Sequence, residues 1–285
     1  MNTLQKIQGK VGVAADGFWG PKTRAAVAAA LGCKANDREI QRRVGVAADG
    51  IIGSKSVAGI AAALGVELVT GRVDVFLDIG HTADRAREYP SSFSPEVWQT
   101  DCGRGLMAVL GFAPAVHDSF EHILNTAVAR AVARHLEGLR VQVFDKPAMG
   151  NDAEIAAVYN EANAVRPRVF VSIHHNAQGG ERWRTLDGTA SGHVCYYVQG
   201  RNGGRALARE VSECLDDCRK RYGMPDNRAE HVQAGSYAVI RKLDAGIAAT
   251  LVEVGFYDNA LDVCALVANL DAVGAAIASG IRGSL

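Results

Sequence analysis

Three strand-like runs in this chain each deliver a side chain able to bind a metal or move a proton. In VFVSIHHNA (169–177), five residues of β-type composition lead straight into His174, His175 and Asn176. VDVFLDIGH ends on His81, and IAATLVEVGF carries Glu253. Open α/β folds keep their ligands outside the carboxyl ends of the strands. Imidazoles and a carboxylate delivered there describe a catalytic metal centre better than a core.

A catalytic zinc takes three protein ligands from His or carboxylate and keeps one position open for water. Gly80 permits a sharp turn that leaves His81 exposed. Glu121 opens the helical stretch EHILNTAVARAVARHLEG, and His174 ends a strand. These three stand on different elements and can converge at one sheet edge. The stretch 82–120 offers Glu88, Glu96 and His117 as rivals to Glu121. His193 reads as structural, and His122 points elsewhere on the helix that carries Glu121. CRKRYG (218–223) reads as a solvated helix end favourable to the dipole.

The elements that must position these groups alternate. Strands are expected over 73–80, 139–144, 168–175, 192–199, 237–243 and 248–256. Helices are expected over 127–138, 152–165, 205–223 and 261–282. This order implies an α/β domain over 73–285, with a mostly parallel sheet flanked by helices.

Residues 1–66 differ in character and contain an internal repeat. KVGVAADGFWGPKTRAAVAAALG (10–32) matches RVGVAADGIIGSKSVAGIAAALG (43–65) at an offset of 33, with 15 of 23 positions identical. Ile7-Gln8 matches Ile40-Gln41 at the same offset. Each unit reads as helix, Asp-Gly turn, helix, with Thr23 and Ser56 placed to cap the second helix. One unit cannot bury its apolar stripe alone, so two pack into a small all-α helical bundle. Residues 67–73 are a short connection.

Apolar residues make up 48% of the 285, enough for a sizeable core. Lys+Arg and Asp+Glu are equal at 31 each, which gives no reason to expect nucleic acid or an anionic membrane as partner. No apolar run is long enough to span a bilayer. Six cysteines without a CxxC read as mostly reduced and semi-buried. MNTLQKIQGKVG has no apolar h-region, so no secretory signal is expected.

VGVAADGFWGPKTRAAV resembles the peptidoglycan-binding domain found at either end of many cell-wall hydrolases. The resemblance implies a wall-binding module, with Phe18 and Trp19 placed to stack on its ligand; Ile51 and Ile52 replace them in the second unit. Over roughly 73–280, LDIGH, EHILN, SIHHN, GHVCYY and VEVGFYDN occur in the order of the zinc-dependent N-acetylmuramoyl-L-alanine amidases of the family-3 type. That resemblance implies His81, Glu121 and His174 as Zn2+ ligands and Glu253 as the catalytic carboxylate. It places Asn125, Asn163, Ser172 and Asn176 around the site, and His175 and Arg228 near substrate. Four departures stand out. Thr82 replaces a glycine, 82–120 is a long insertion, His175 replaces a small residue, and an arginine usual before SIHHN is missing near Tyr159-Asn160. The implied function is cleavage of the muramic acid–L-alanine amide of peptidoglycan by a wall-anchored enzyme. The setting expected is a phage endolysin, kept in the host cytoplasm until release to the wall at lysis. Rival readings are a zinc peptidase cutting the stem peptide and a non-catalytic wall-binding protein.

Overall fold

The computed structural model describes residues 2–81, 104, 120–146, 151–179 and 188–285. The rival ligands Glu88, Glu96 and His117, the position Thr82, Cys102 and all of the 82–120 insertion but residues 104 and 120 lie outside the described residues.

A run buried on both faces becomes a central strand of a parallel sheet. β1 (Val75–Ile79) is buried at every position, and β3 (Val169–Asn176) is buried over its first five. With β2 (Val141–Phe144), β4 (Val194–Tyr197), β5 (Val232–Ala234) and β6 (Ala248–Phe256) they form one sheet, ordered β2-β1-β3-β6-β4-β5. Every pairing is parallel except β4 with β6. This is the mixed, mostly parallel α/β architecture expected from the alternation.

Side chains alternate between the two faces. Leu77, Val171, Ile173, Val252 and Val254 pack under α5 (Phe120–His135), α7 (Asn202–Arg221) and α10 (Leu270–Gly283). Phe76, Phe170, Ala249 and Leu251 face α6 (Asn151–Val165) and α8 (Ala238–Arg241). The register sets Asp78 beside Ser172 and His174 beside Glu253.

Two expected elements differ. YAVIRKL (237–243) is the short helix α8, not a strand. Its adjacent residues Val239 and Ile240 are both buried in the same core, which a strand with alternating side chains would not allow. The edge strand of this region is VQA at 232–234. The final helix is two, α9 (Ala260–Ala268) and α10, bent by 80°. Asn269 ends one and begins the other.

The N-terminal region contains α1 (Thr3–Lys10), α2 (Pro21–Leu31), α3 (Asp37–Arg43) and α4 (Ser54–Ala63). The repeat has a structural meaning at Gln8 and Gln41. Buried Gln8 Nε2 donates to Asp16 Oδ1 (2.7 Å), Phe18 O (2.9 Å) and Thr23 Oγ1 (3.0 Å), while its Oε1 accepts from Gly17 N (2.8 Å). Gln41 repeats this with Asp49, Ile51, Ser56 and Gly50. Thr23 and Ser56 therefore do not cap. The N-caps are Gly20 and Gly53, and both hydroxyls are drawn into the glutamine network.

This bundle rests on the sheet's β2 edge. Asn2 Nδ2 donates to Val141 O (2.6 Å), and Ser54 N donates to Glu161 Oε1 (2.6 Å). Phe18 is 5% exposed and packs into the main core of the α/β region, with the Arg130 guanidinium 5.2 Å from its ring centre. Burial removes Phe18 from any role in stacking on a ligand. Trp19 is half-buried against the bundle core; its indole N–H donates to Asp37 Oδ1 (2.9 Å). It also lines a cavity of about 340 Å³ between the bundle and Val141–Val143.

Candidate metal centre

Two histidines and a carboxylate converge at the carboxyl ends of β1 and β3. His81 Nε2 lies 3.1 Å from Glu121 Oε2, and His174 Nδ1 lies 3.2 Å from Glu121 Oε1. The two imidazoles meet edge to face, with ring centres 5.0 Å apart. One ligand atom from each of the three falls within 4.8 Å of the others.

The backbone is shaped for this meeting. His81 has φ of 57°, a left-handed conformation uncommon for a residue with a β-carbon. A β-carbon at Gly80 would lie 2.5 Å from His174 Cε1 and 2.6 Å from Ile173 O, so only glycine lets β1 end this close to the imidazole. The Gly80 carbonyl accepts from Asn125 Nδ2 (3.0 Å) and lies 3.2 Å from His122 Nδ1. His122 is thus outside the cluster but braces the turn that carries His81.

Beneath the cluster, buried Asp78 lies 2.9 Å from Lys146 Nζ and accepts from Ser172 Oγ (2.6 Å). Lys146 also donates to Ile79 O. This ties β1 to the segment after β2. Lys146 drew no notice in the sequence because nothing in its local pattern points to a partner 68 positions away.

The electrostatics separate the two glutamates. Burial pushes the Glu121 carboxyl up, but the His81 charge and hydrogen bonds from both histidines hold it well below the usual carboxylate range. Glu253 goes the other way. Burial raises it well above that range, Glu121 adds to the rise, and the Arg228 charge opposes it. Glu253 Oε2 is buried without a hydrogen-bond partner among the described residues. Arg228 stacks near Phe256, with its guanidinium carbon 5.7 Å from the ring centre.

Other expected site residues fall differently. His175 is buried and turned toward α5, its Nδ1 2.7 Å from Asn125 Oδ1 and its backbone N–H donating to Glu121 Oε1 (3.2 Å). That makes it a support for Glu121, out of reach of a substrate. Asn176 Oδ1 accepts from Ala177 N (2.8 Å). Asn163 does not shape the centre: it ties α6 to Lys242 O (3.1 Å) and Asp244 N (2.8 Å). Arg219 in CRKRYG is buried rather than solvated, bound to Asp262 (2.9 Å) and Val254 O (2.7 Å). His193, read as structural, is buried just before β4 and belongs to a separate group of ligand-type residues.

Two histidines at strand ends of a mostly parallel sheet, with a glutamate from the first turn of α5, make a His₂Glu set of the kind that catalytic metal hydrolases use. The sequence profile of the N-acetylmuramoyl-L-alanine amidases matches residues 75–283, and the chain belongs to that family. No curated relative matches it. Among solved structures, it is similar to the N-acetylmuramoyl-L-alanine amidase of Clostridium difficile 630, with a TM-score of 0.53 and 20% identity over 75% of this chain and 97% of that one. The catalytic domain of an endolysin targeting Clostridia difficile gives a TM-score of 0.53 at 16% identity, over 74% and 98%. The catalytic domain of an amidase from Bacillus (Paenibacillus) polymyxa var. colistinus gives 0.50 at 21%, over 74% and 97%. At such identity these likenesses speak for the fold.

Proposed function

We propose that the chain is a zinc-dependent amidase that cuts the bond between the muramic acid lactyl group and L-alanine, anchored to peptidoglycan by its N-terminal bundle. Family membership supports peptidoglycan amide hydrolysis. The observation that carries the zinc reading is the His81, Glu121, His174 cluster, with one donor atom from each residue within 4.8 Å of the others.

His81, Glu121 and His174 would hold the ion, and neutral imidazoles with an ionised carboxylate suit that task. Bound zinc supplies a water of lowered pKa and polarises a carbonyl. Glu253 is paired in register with His174 and has a buried oxygen without a partner among the described residues, which supports a role in taking a proton from the attacking water and returning it to the leaving amine. The Arg228 charge opposes the neutralisation of Glu253 that burial and Glu121 favour. The twin repeats support wall anchoring, which raises the local enzyme concentration on an insoluble substrate. Host lysis by a phage endolysin is the setting this arrangement suits; its support is analogy to such enzymes.

The test is digestion of purified walls, with products read by mass spectrometry. Wild type should release intact stem peptides beginning with L-Ala. EDTA should abolish release. Glu253→Ala should cost about 10²–10⁴-fold in rate with zinc content unchanged. Products cut within the stem peptide would instead establish a peptidase, and wall binding without cleavage would establish an adhesin.

A further inference from the structure

On the opposite face of the sheet from Glu253, a second set of ligand-type side chains gathers where β4 begins. His193 immediately precedes β4, which puts it on the α7 side. It is fully buried. Its Nε2 lies 3.0 Å from Ser212 Oγ on α7. Its Nδ1 is buried with no hydrogen-bond partner among the described residues and faces Asp226 Oδ2 at 3.9 Å, too far for a hydrogen bond. His231 stacks on His193 with ring centres 4.5 Å apart. Its Nδ1 is 2.9 Å from Asp216 Oδ1, and its Nε2 is 3.2 Å from Asp226 Oδ1.

We propose that His193 Nδ1, His231 Nε2 and Asp226 form a second divalent-metal site that takes a first-row transition ion such as zinc, distinct from the His81 cluster. A buried imidazole nitrogen without a partner costs free energy unless something satisfies it. One ligand atom from each of His193, Asp216, Asp226 and His231 lies within 4.8 Å of the others. A nitrogen–oxygen gap of 3.9 Å can be spanned by an ion about 2 Å from each. The outer contacts have the form metal-binding histidines use. Ser212 engages the far nitrogen of His193 and Asp216 that of His231, which orients each ring with its other nitrogen inward.

The charge also balances. Asp216 and Asp226 bring two negative charges to two imidazoles that ligate in their neutral form, so a dication closes the count. Neighbouring Arg219 is already matched by Asp262. Gly192 makes room, since a β-carbon there would stand 2.1 Å from Asp226 Oδ1. The site is chemically borderline-soft, which favours zinc over calcium or magnesium. Its effect would be to pin the 224–231 loop, and with it Arg228, against α7 and β4.

The test counts zinc in the full-length protein by elemental analysis after loading and dialysis. Four chains are compared: wild type, Asp226→Asn with His231→Asn, His174→Ala, and all three together. Circular dichroism checks that each is folded. Expected contents are about two, one, one and zero equivalents of zinc. Asp216→Asn should weaken the second site about 10–100-fold while its ligands remain. A wild type holding one equivalent that disappears in His174→Ala overturns the proposal, and so does a second equivalent that survives Asp226→Asn with His231→Asn. A single equivalent lost with His231 but kept in His174→Ala would support this site and overturn the ligand set of the proposed amidase centre.

Discussion

The two adjacent histidines of SIHHN have opposite duties, and the pleat of one strand separates them. His174 turns to the cluster with Glu121, whereas His175 turns into the protein toward Asn125. Burial holds the His175 pKa down to about 3, against 6.5 for an ordinary histidine. Between those values the unfolded chain binds one more proton at this position than the folded one. Stability is therefore intact above pH 6.5, falls as pH drops through the window, and is fully lost to this group below about 3. The slope is about 1.4 kcal/mol per pH unit for one such group. His193 and His174, also lowered first by burial, act in the same direction. Urea denaturation of the metal-free protein should show stability falling from pH 6.5 to 5. His175→Gln should make that fall shallower by about 2 kcal/mol over the interval. Equal pH slopes in the two proteins would mean that His175 is protonated, or solvated, in the fold.

At the scale of elements, β1 is held in place from below by a charge pair that its own sequence conceals. Asp78 and Lys146 are nearly inaccessible, with side-chain exposures of 1% and 5%. Removing one partner of such a pair strands the other's charge in the interior, at about 3–5 kcal/mol. Lys146→Met should therefore lower unfolding free energy by that amount and weaken zinc binding through the displaced end of β1. Adding Asp78→Leu should recover much of the stability, because the stranded charge is gone. A Lys146→Met protein as stable as wild type would show that water reaches Asp78. The same contrast explains what the sequence made legible. His81, His174 and Glu253 announced themselves because β-type runs aim their last residues at a sheet edge, a local pattern. Asp78–Lys146 and Arg219–Asp262 join segments far apart in the chain, and no local pattern marks them. The strand expected at 237–243 failed for a related reason: four residues of helix and four of strand have similar composition, and only the burial of adjacent Val239 and Ile240 in one core decides between them.

For the whole molecule, the decisive contact is between the repeat bundle and β2. An edge strand exposes unpaired backbone groups that invite association with other chains. Here Asn2 donates to the β2 carbonyl of Val141, and Phe18 enters the core that α5 covers. Glu161 accepts from both Ser54 N and Gln142 Nε2, joining the bundle to α6 and β2. The bundle therefore acts as part of the fold as well as a separately repeated unit. A fully buried phenylalanine cut to alanine costs about 3–5 kcal/mol, and at Phe18 that cost falls on the join. Scanning calorimetry of the full-length chain should show one cooperative transition, lowered by Phe18→Ala. A chain starting at residue 67 should melt lower than the full length and self-associate through its uncovered β2 edge. Two separate transitions, with the upper one unmoved by Phe18→Ala and retained by the shortened chain, would instead mark the bundle as an independent module whose docking adds nothing to the stability of the sheet.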